Sequence, residues 1–365
     1  MRDAGRRQEP IVLMHGFMGF RELGPVEYFM GVQQSLGLQG FSVYAPTVAP
    51  INRFEYRAFE SFYGRHPCAS EPSEEELLWK PRPLHRRLPI GPHSAPYLGE
   101  IYLRHRRKLH LIAHSQAATG SRYLVSPEGL GGVRPFASED FPEEIRELTI
   151  ADTIATVTTV GGPHNGVLIA DDTHLVTRFV TDGVFPLFNA VARVFGGDRS
   201  DLWAAAREFG CEYMLTEFNP RHTEHPGIRY HTVQGLTDHR HVNLLLRKFY
   251  DITKRNPSYE HEDNDGFVPL GSSRWPITDG NLERIDIPES EHLTPRDRRQ
   301  RHGAWLSLGH VFADHLHQIG FPFSEPANPV FHHLEFYSGL AQYVSGELDD
   351  NVVLHPDGSW APIPA

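Results

Sequence analysis

Ser115 lies in the stretch LIAHSQAATG (residues 111–120), a hydroxyl set among small residues where KLHLI reads as a strand and AATGSRYLV as a helix. A sharp strand-to-helix turn of this kind exposes a side chain at the end of a sheet. A serine presented there becomes a nucleophile only if a base within reach takes its proton and a carboxylate orients that base. For the carboxylate, Asp265 sits in the Asn-Asp-Gly turn of HEDNDGFVPLGSS (261–273), with Asp263 as a rival two residues earlier. For the base the chain offers 23 histidines, so identity alone decides nothing. The order serine, acid, histidine and the spacing favour His292 in IPESEHLTP, just past the strand-like ERIDIP. His310 in LSLGHVFADHL, a helical pattern, is the alternative.

Acyl transfer also needs donors for a developing oxyanion. The amide of Phe17, in MHGFMGF after the first strand, and the amide of Gln116, directly after the serine, are placed to supply them. Losing one such donor costs on the order of 10²–10³ in rate. His15 reads as a structural histidine holding the upstream turn. The usual serine turn is Gly-x-Ser-x-Gly, because backbone and neighbouring elements approach closely. Here both glycines are alanine, Ala113 and Ala117. The extra methyl is expected to be tolerated on the strand side and to crowd the helix side at Ala117.

The elements that must position these groups are legible as short apolar runs. PIVLMHGF (10–17), GFSVYAPTV (40–48), RKLHLIAH (107–114), IATVTTVGGPHNG (154–166) and GIRYHTVQG (227–235) have strand length. VEYFMGVQQSLGLQG between the first two is helix-like, with Gly40 just past its end. Buried strands separated by helical patterns predict a mostly parallel sheet with helices on both faces. The fold class expected is α/β, one domain over residues 1–365. Residues 64–96, rich in proline and charge, read as an irregular excursion. Residues 167–225 are a candidate lid or cap region: Val184, Phe188, Val191 and Phe195 fall at helical spacing, and a core helix pair is the alternative reading. FHHLEFYSGLAQYV near the end reads as a last amphipathic helix.

Composition narrows the partners. The chain has 365 residues and a formal charge of −11, which argues against nucleic acid or an anionic membrane surface as the main partner. No stretch approaches the roughly 20 apolar residues of a spanning helix. No secretory signal is visible at MRDAGRRQEP, so the chain as written reads as cytoplasmic, and as extracellular if it is a processed mature form. Cys68 and Cys211 could pair or stay apart, and their spacing does not decide.

Taken together, PIVLMHGFMGF, VEYFMGVQQSLGLQGFSVYAPTV, KLHLIAHSQ, IATVTTVGGPHNG and DNDGFVPLGSS resemble, in order, the bacterial true lipases, triacylglycerol lipases of the α/β-hydrolase fold that include a zinc-bearing Gram-positive branch. The resemblance spans roughly residues 10–293. It implies a serine ester hydrolase, lipase or carboxylesterase, acting on an acyl-ester or lipid substrate without an organic cofactor. It implies Ser115, Asp265 and His292 as triad and Phe17 and Gln116 as oxyanion residues; the helical lid, which would make transient contact with a lipid surface, rests on the apolar periodicity alone. The zinc-bearing branch suggests Glu55, His85, His93 and Asp201 as ligands of a structural zinc. The family's calcium site does not carry over, because Thr294 stands two places after His292 where the family has a carboxylate, with Asp297 nearest. A polyester depolymerase or acyltransferase with the same triad, and a degenerate hydrolase serving as a lipid-binding module, are the other readings.

Overall fold

Aliphatic runs without polar alternation make strands buried on both faces, and the first such run shows how the sheet is built. In β1 (Ile11–Met14), Ile11 and Leu13 enter one apolar cluster while Val12 and Met14 enter another. This is the period of two that sends neighbouring side chains to opposite faces. Burying each of these aliphatic side chains contributes roughly 1.5–3 kcal/mol. The computed structural model describes residues 9–16, 22–23, 26–49, 52–64, 96–167, 170, 202–255, 263–278, 303–321, 328–348 and 350–363.

Five further strands complete the sheet: β2 (Val43–Tyr44), β3 (Leu109–His114), β4 (Ile154–Val160), β5 (Arg229–Leu236) and β6 (Trp305–Phe312). Their order is β2-β1-β3-β4-β5-β6 and every pairing is parallel. On one face pack α2 (Phe54–Tyr63), α3 (Leu98–His105) and α4 (Gln116–Val125), through Phe62, Ile101 and Leu124 against Val12, Leu111 and Val157. On the other pack α1 (Val32–Leu38) and the late helix His333–Val344, through Leu36 and Leu340 against Ile11, Ile112 and Val233. Gly40 does lie just past α1, at φ 91°, a left-handed value that glycine adopts without a Cβ penalty.

β6 corrects the sequence reading. The helical pattern expected of LSLGHVFADHL is, in its first part, an edge strand. Leu306, Leu308 and Val311 all join the same core cluster, at spacings of two and then three. The register against β5 slips at this point, with Thr232 opposite Ser307 and Val233 opposite Gly309. A bulge inserts one residue into the alternation. The resulting three-residue step imitates a helix. The excursion expected at 64–96 lies outside the described residues except for Gly64 and Pro96, and so do Val184, Phe188, Val191 and Phe195 of the candidate lid.

Two of the histidines buried in the sheet bond sideways to threonines of β4. His110 Nδ1 on β3 meets Thr156 Oγ1 at 3.0 Å, and His231 Nδ1 on β5 meets Thr158 Oγ1 at 3.0 Å. Burial, with Arg229 and His110 adding to it, pushes His231 down to about 3 from 6.5. The folded ring therefore stays neutral where the unfolded one gains a proton. Stability is full above about pH 6.5 and falls as pH drops from there towards 3. At pH 5 the cost is roughly 2 kcal/mol, at about 1.4 kcal/mol per pH unit. Denaturant unfolding of wild type and His231→Gln at pH 7.5 and 5 should show the smaller acid loss in the variant; equal losses would remove His231 from this account.

Candidate active site

The serine turn is built by a backbone conformation that an L-residue rarely takes. Ser115 has φ 58° and ψ −129°, between the end of β3 and the start of α4. Apart from Arg106, Ser115 is the only non-glycine at positive φ among the described residues. Such a conformation costs of order 1–3 kcal/mol and persists only where its surroundings hold it. Here the Ser115 amide donates to Val160 O of β4 at 3.1 Å, and Ser115 O accepts from Ala118 N–H at 2.9 Å. Gly16 backs onto the turn so closely that a Cβ there would stand 2.5 Å from Ser115 Cβ and 2.8 Å from His114 O.

Ser115 Oγ lies 2.8 Å from His315 Nε2, and His315 Nδ1 lies 2.7 Å from Asp265 Oδ2. A carboxylate only accepts, so Nδ1 carries the imidazole proton and Nε2 is left to accept from the serine hydroxyl. All three side chains are buried, Asp265 at 1% exposure and Ser115 at 4%. Asp265 is held in the Asn-Asp-Gly turn by donors on its other oxygen, Phe267 N–H at 3.0 Å and Val268 N–H at 2.7 Å. The two turns are also tied backbone to backbone, His315 N–H to Asp265 O at 2.8 Å. Asp314, fully buried, fixes the histidine's turn: its Oδ1 accepts Leu316 N–H at 2.9 Å and His317 N–H at 2.7 Å, and its Oδ2 accepts Asn243 N–H.

No protein-family profile matches the chain. By sequence it is 29% identical over 162 residues to a triacylglycerol lipase of Vibrio cholerae, covering 44% of this chain and 35% of that protein. It is 27% identical over 173 residues to a triacylglycerol lipase of Pseudomonas fragi, covering 47% and 40%. Against Lipase 1 of Staphylococcus aureus it is 23% identical over 347 residues, covering 77% and 48%. Its relatives are bacterial lipases. The chain spans between about a third and a half of the length of these curated relatives. Among solved structures, EstA from Clostridium botulinum superposes with a TM-score of 0.62 at 20% identity, over 93% of this chain and 87% of that one. The Staphylococcus hyicus lipase gives 0.58 at 17%, over 93% and 96%. The shared fold is the α/β-hydrolase fold.

Within that lipase-like frame, the sequence brought out two of the three aligned side chains. Ser115 and Asp265 are brought to opposite sides of one imidazole, that of His315. The position expected for His292 is taken by His315; His292 itself lies outside the described residues. His310, the alternative, sits on β6. The missed signal was local: once 305–312 is a strand, the parallel order places the following loop, with Asp314 and His315, at the same sheet end as Ser115. His15 is structural, as expected, its Nε2 accepting Val48 N–H at 3.2 Å.

Phe17 lies outside the described residues, but the backbone leading to it does not. The guanidinium of Arg57, buried on α2, donates to Gly16 O at 3.0 Å and also to His15 O and Ala49 O. Burial pushes Arg57 down to about 10, which leaves it charged at neutral pH. Glu208 in turn secures α2, accepting Phe54 N–H at 2.7 Å and Arg53 Nε–H at 3.0 Å. Gln116 opens α4, where backbone N–H groups have no partner inside the helix. Its side chain donates to Asn52 O at 2.8 Å.

Ala117 is not crowded. Its methyl lines a cavity of about 20 Å³ shared with Met14, Arg57, Ala58 and Gly120. The tight approach is one residue along, where a Cβ on Gly162 would stand 2.5 Å from Ala118 Cβ. Of the residues suggested for zinc, Glu55 is half-buried on α2, and His85, His93 and Asp201 lie outside the described residues. Among the described residues no group of three His, Cys, Asp or Glu side chains is placed to hold a metal ion.

The strain at Ser115 is open to measurement. Replacing glycine by alanine ordinarily stabilises by about 0.4–1 kcal/mol through the unfolded chain, but not where φ is positive. Ser115→Gly should therefore unfold at higher denaturant than Ser115→Ala, by about 1 kcal/mol, both lacking the bond to His315. The opposite order would show that the turn relaxes without strain.

Proposed function

We propose that this chain is a serine carboxylic-ester hydrolase, lipase-like, which cleaves acyl esters of the lipid class through an acyl-enzyme on Ser115. The observation that carries the reading is the unbroken line from Ser115 Oγ to His315 Nε2 at 2.8 Å and from His315 Nδ1 to Asp265 Oδ2 at 2.7 Å. The names of the curated relatives, triacylglycerol lipases and Lipase 1, support the substrate class.

In this reading His315 Nε2 takes the Ser115 proton as Oγ adds to the substrate carbonyl carbon. The charge left on the carbonyl oxygen is met by the Gln116 amide at the start of α4 and by the Phe17 amide. The imidazolium is stabilised by Asp265, then protonates the departing alcohol. Water repeats the sequence, its proton passing to His315 and its oxygen to the acyl carbon, which frees the acid and restores Ser115. No organic cofactor enters any step. With His315 as base, the position two places on is His317, again not the carboxylate of the family's calcium site.

The test separates the two histidines. A fluorophosphonate should form one adduct, on Ser115, and a p-nitrophenyl ester should turn over. Ser115→Ala and His315→Ala should each lose about 10⁴-fold or more in kcat, the scale of triad deletions, with the fold intact. His292→Ala should stay within a few-fold of wild type. Full activity in His315→Ala would overturn the assignment of the base, and a folded wild type that neither labels nor turns over would overturn the enzyme.

A further inference from the structure

Gln318 is fully buried three residues after His315, and neither the resemblance nor the mechanism uses it. Its Nε2 donates to Asp265 Oδ2 at 2.8 Å, the same oxygen that receives His315 Nδ1. Because the carboxylate only accepts, the amide nitrogen must face it, and Oε1 is thereby fixed on the opposite side. Space for the carboxamide is made by two glycines at strand ends. A Cβ on Gly161, at φ 56°, would overlap Gln318 Oε1 and stand 3.1 Å from Asp265 Oδ2. A Cβ on Gly235 would overlap Gln318 Nε2 and stand 2.8 Å from Asp265 Cβ.

The far end of the amide reaches towards the serine's own neighbour. Gln318 Oε1 and His114 Nε2 are both buried, and the Gln318 side chain stands within reach of the His114 ring. They are complementary: Tyr28 Oη meets His114 Nδ1 at 2.8 Å, and when it donates there, Nε2 is the ring's donor. The His114 ring lies 4.5 Å from that of His315, centroid to centroid. Burial first, then the His315 charge, hold His114 well below its ordinary value, so it stays neutral, with the Gln318 carboxamide pulling weakly the other way.

We propose that Gln318 is a positioning residue: it holds the Asp265 carboxylate on His315 and braces that carboxylate against the strained turn at Ser115. The claim rests on the reading of Ser115, His315 and Asp265 as the catalytic set. Its physical content is a count of donors. Asp265 receives four, Phe267 and Val268 amides on Oδ1, and His315 and Gln318 on Oδ2. Remove Gln318 and Oδ2 keeps a single partner, one that gains and loses a proton in every cycle. The carboxylate can then follow the ring instead of steadying it. The binding of substrate, which meets none of these atoms, is untouched.

Gln318→Met keeps the volume and removes the donor. With a p-nitrophenyl ester, kcat should fall by about tenfold to a hundredfold, the range for one hydrogen bond to a charged group, while KM stays within about twofold. Gln318→Glu puts a carboxyl among Asp265, His315 and His114 that donates only while protonated. Its activity should fall as pH rises across a range where wild type does not fall, a change that a filler of space would not cause. Thermal melts and fluorophosphonate labelling of Ser115 show that each variant is folded; should the methionine variant not fold, the pH profile of the glutamate variant decides. Gln318→Met within twofold of wild-type kcat, a loss expressed in KM, or a Gln318→Glu profile parallel to wild type would each overturn the proposal. A wild type without labelling or turnover would instead overturn the hydrolase reading beneath it.

Discussion

Everything at this site depends on one backbone dihedral. Holding Ser115 at positive φ turns the chain from β3 into α4 within a single residue, and that sharpness lifts Oγ clear of the sheet. The unfavourable φ does not hold itself. It is held by the bond to Val160 O, by the helix that begins at Gln116, and by Gly16, whose missing side chain lets β1 and its following loop close against the turn. A sheet with β1 and β4 on either side of β3 is what brings those supports to one point.

Three of the buried charges around this point follow one pattern, being met largely by backbone groups. Arg57 spends its guanidinium on three carbonyls, Asp314 on three amides, and Asp265 on two amides and two side chains. Hydrogen bonds to ionised groups are about twice as strong as neutral ones, and backbone donors lose no rotamer freedom when they form. Loops that would otherwise drift are therefore pinned by the side chains least able to be released into an apolar interior. Glu208 is the softest of these ties. Burial pushes it up to about 7, so its carboxylate is part-protonated near neutrality, while it caps the helix that carries Arg57.

The sequence made five of the six strands legible because each lies in a short, largely apolar run of strand length despite polar residues such as Thr156, His231 and Gln234. It singled out Ser115 and Asp265 because each sits in a turn of recognisable chemistry. The histidine that stands between them was not legible for a definite reason. Assigning it required knowing that residues 305–312 are a strand, and a bulge at Leu308 had disguised the alternation. With a strand there, the parallel topology delivers His315 to the serine; with a helix there, the eye passes to His292. Gln318 was invisible for a different reason. Nothing marks a glutamine as buried beside a carboxylate except the two glycines opposite it, and Gly161 and Gly235 lie more than 80 residues away in the chain.

The alanines at 113 and 117 show what a motif letter stands for. Glycine in such a turn records a place where something else comes too near for a side chain, and that place can move. Ala113 is fully buried within β3 and packs in the core, and Ala117, also buried, borders a small cavity. The near approaches in this chain are at Gly16 and Gly162, which lie outside the five-residue pattern yet face Ser115 and Ala118. A turn scored by its own five residues misses these neighbours, which lie 99 residues before Ser115 and 47 after it in the chain yet close against it in the fold.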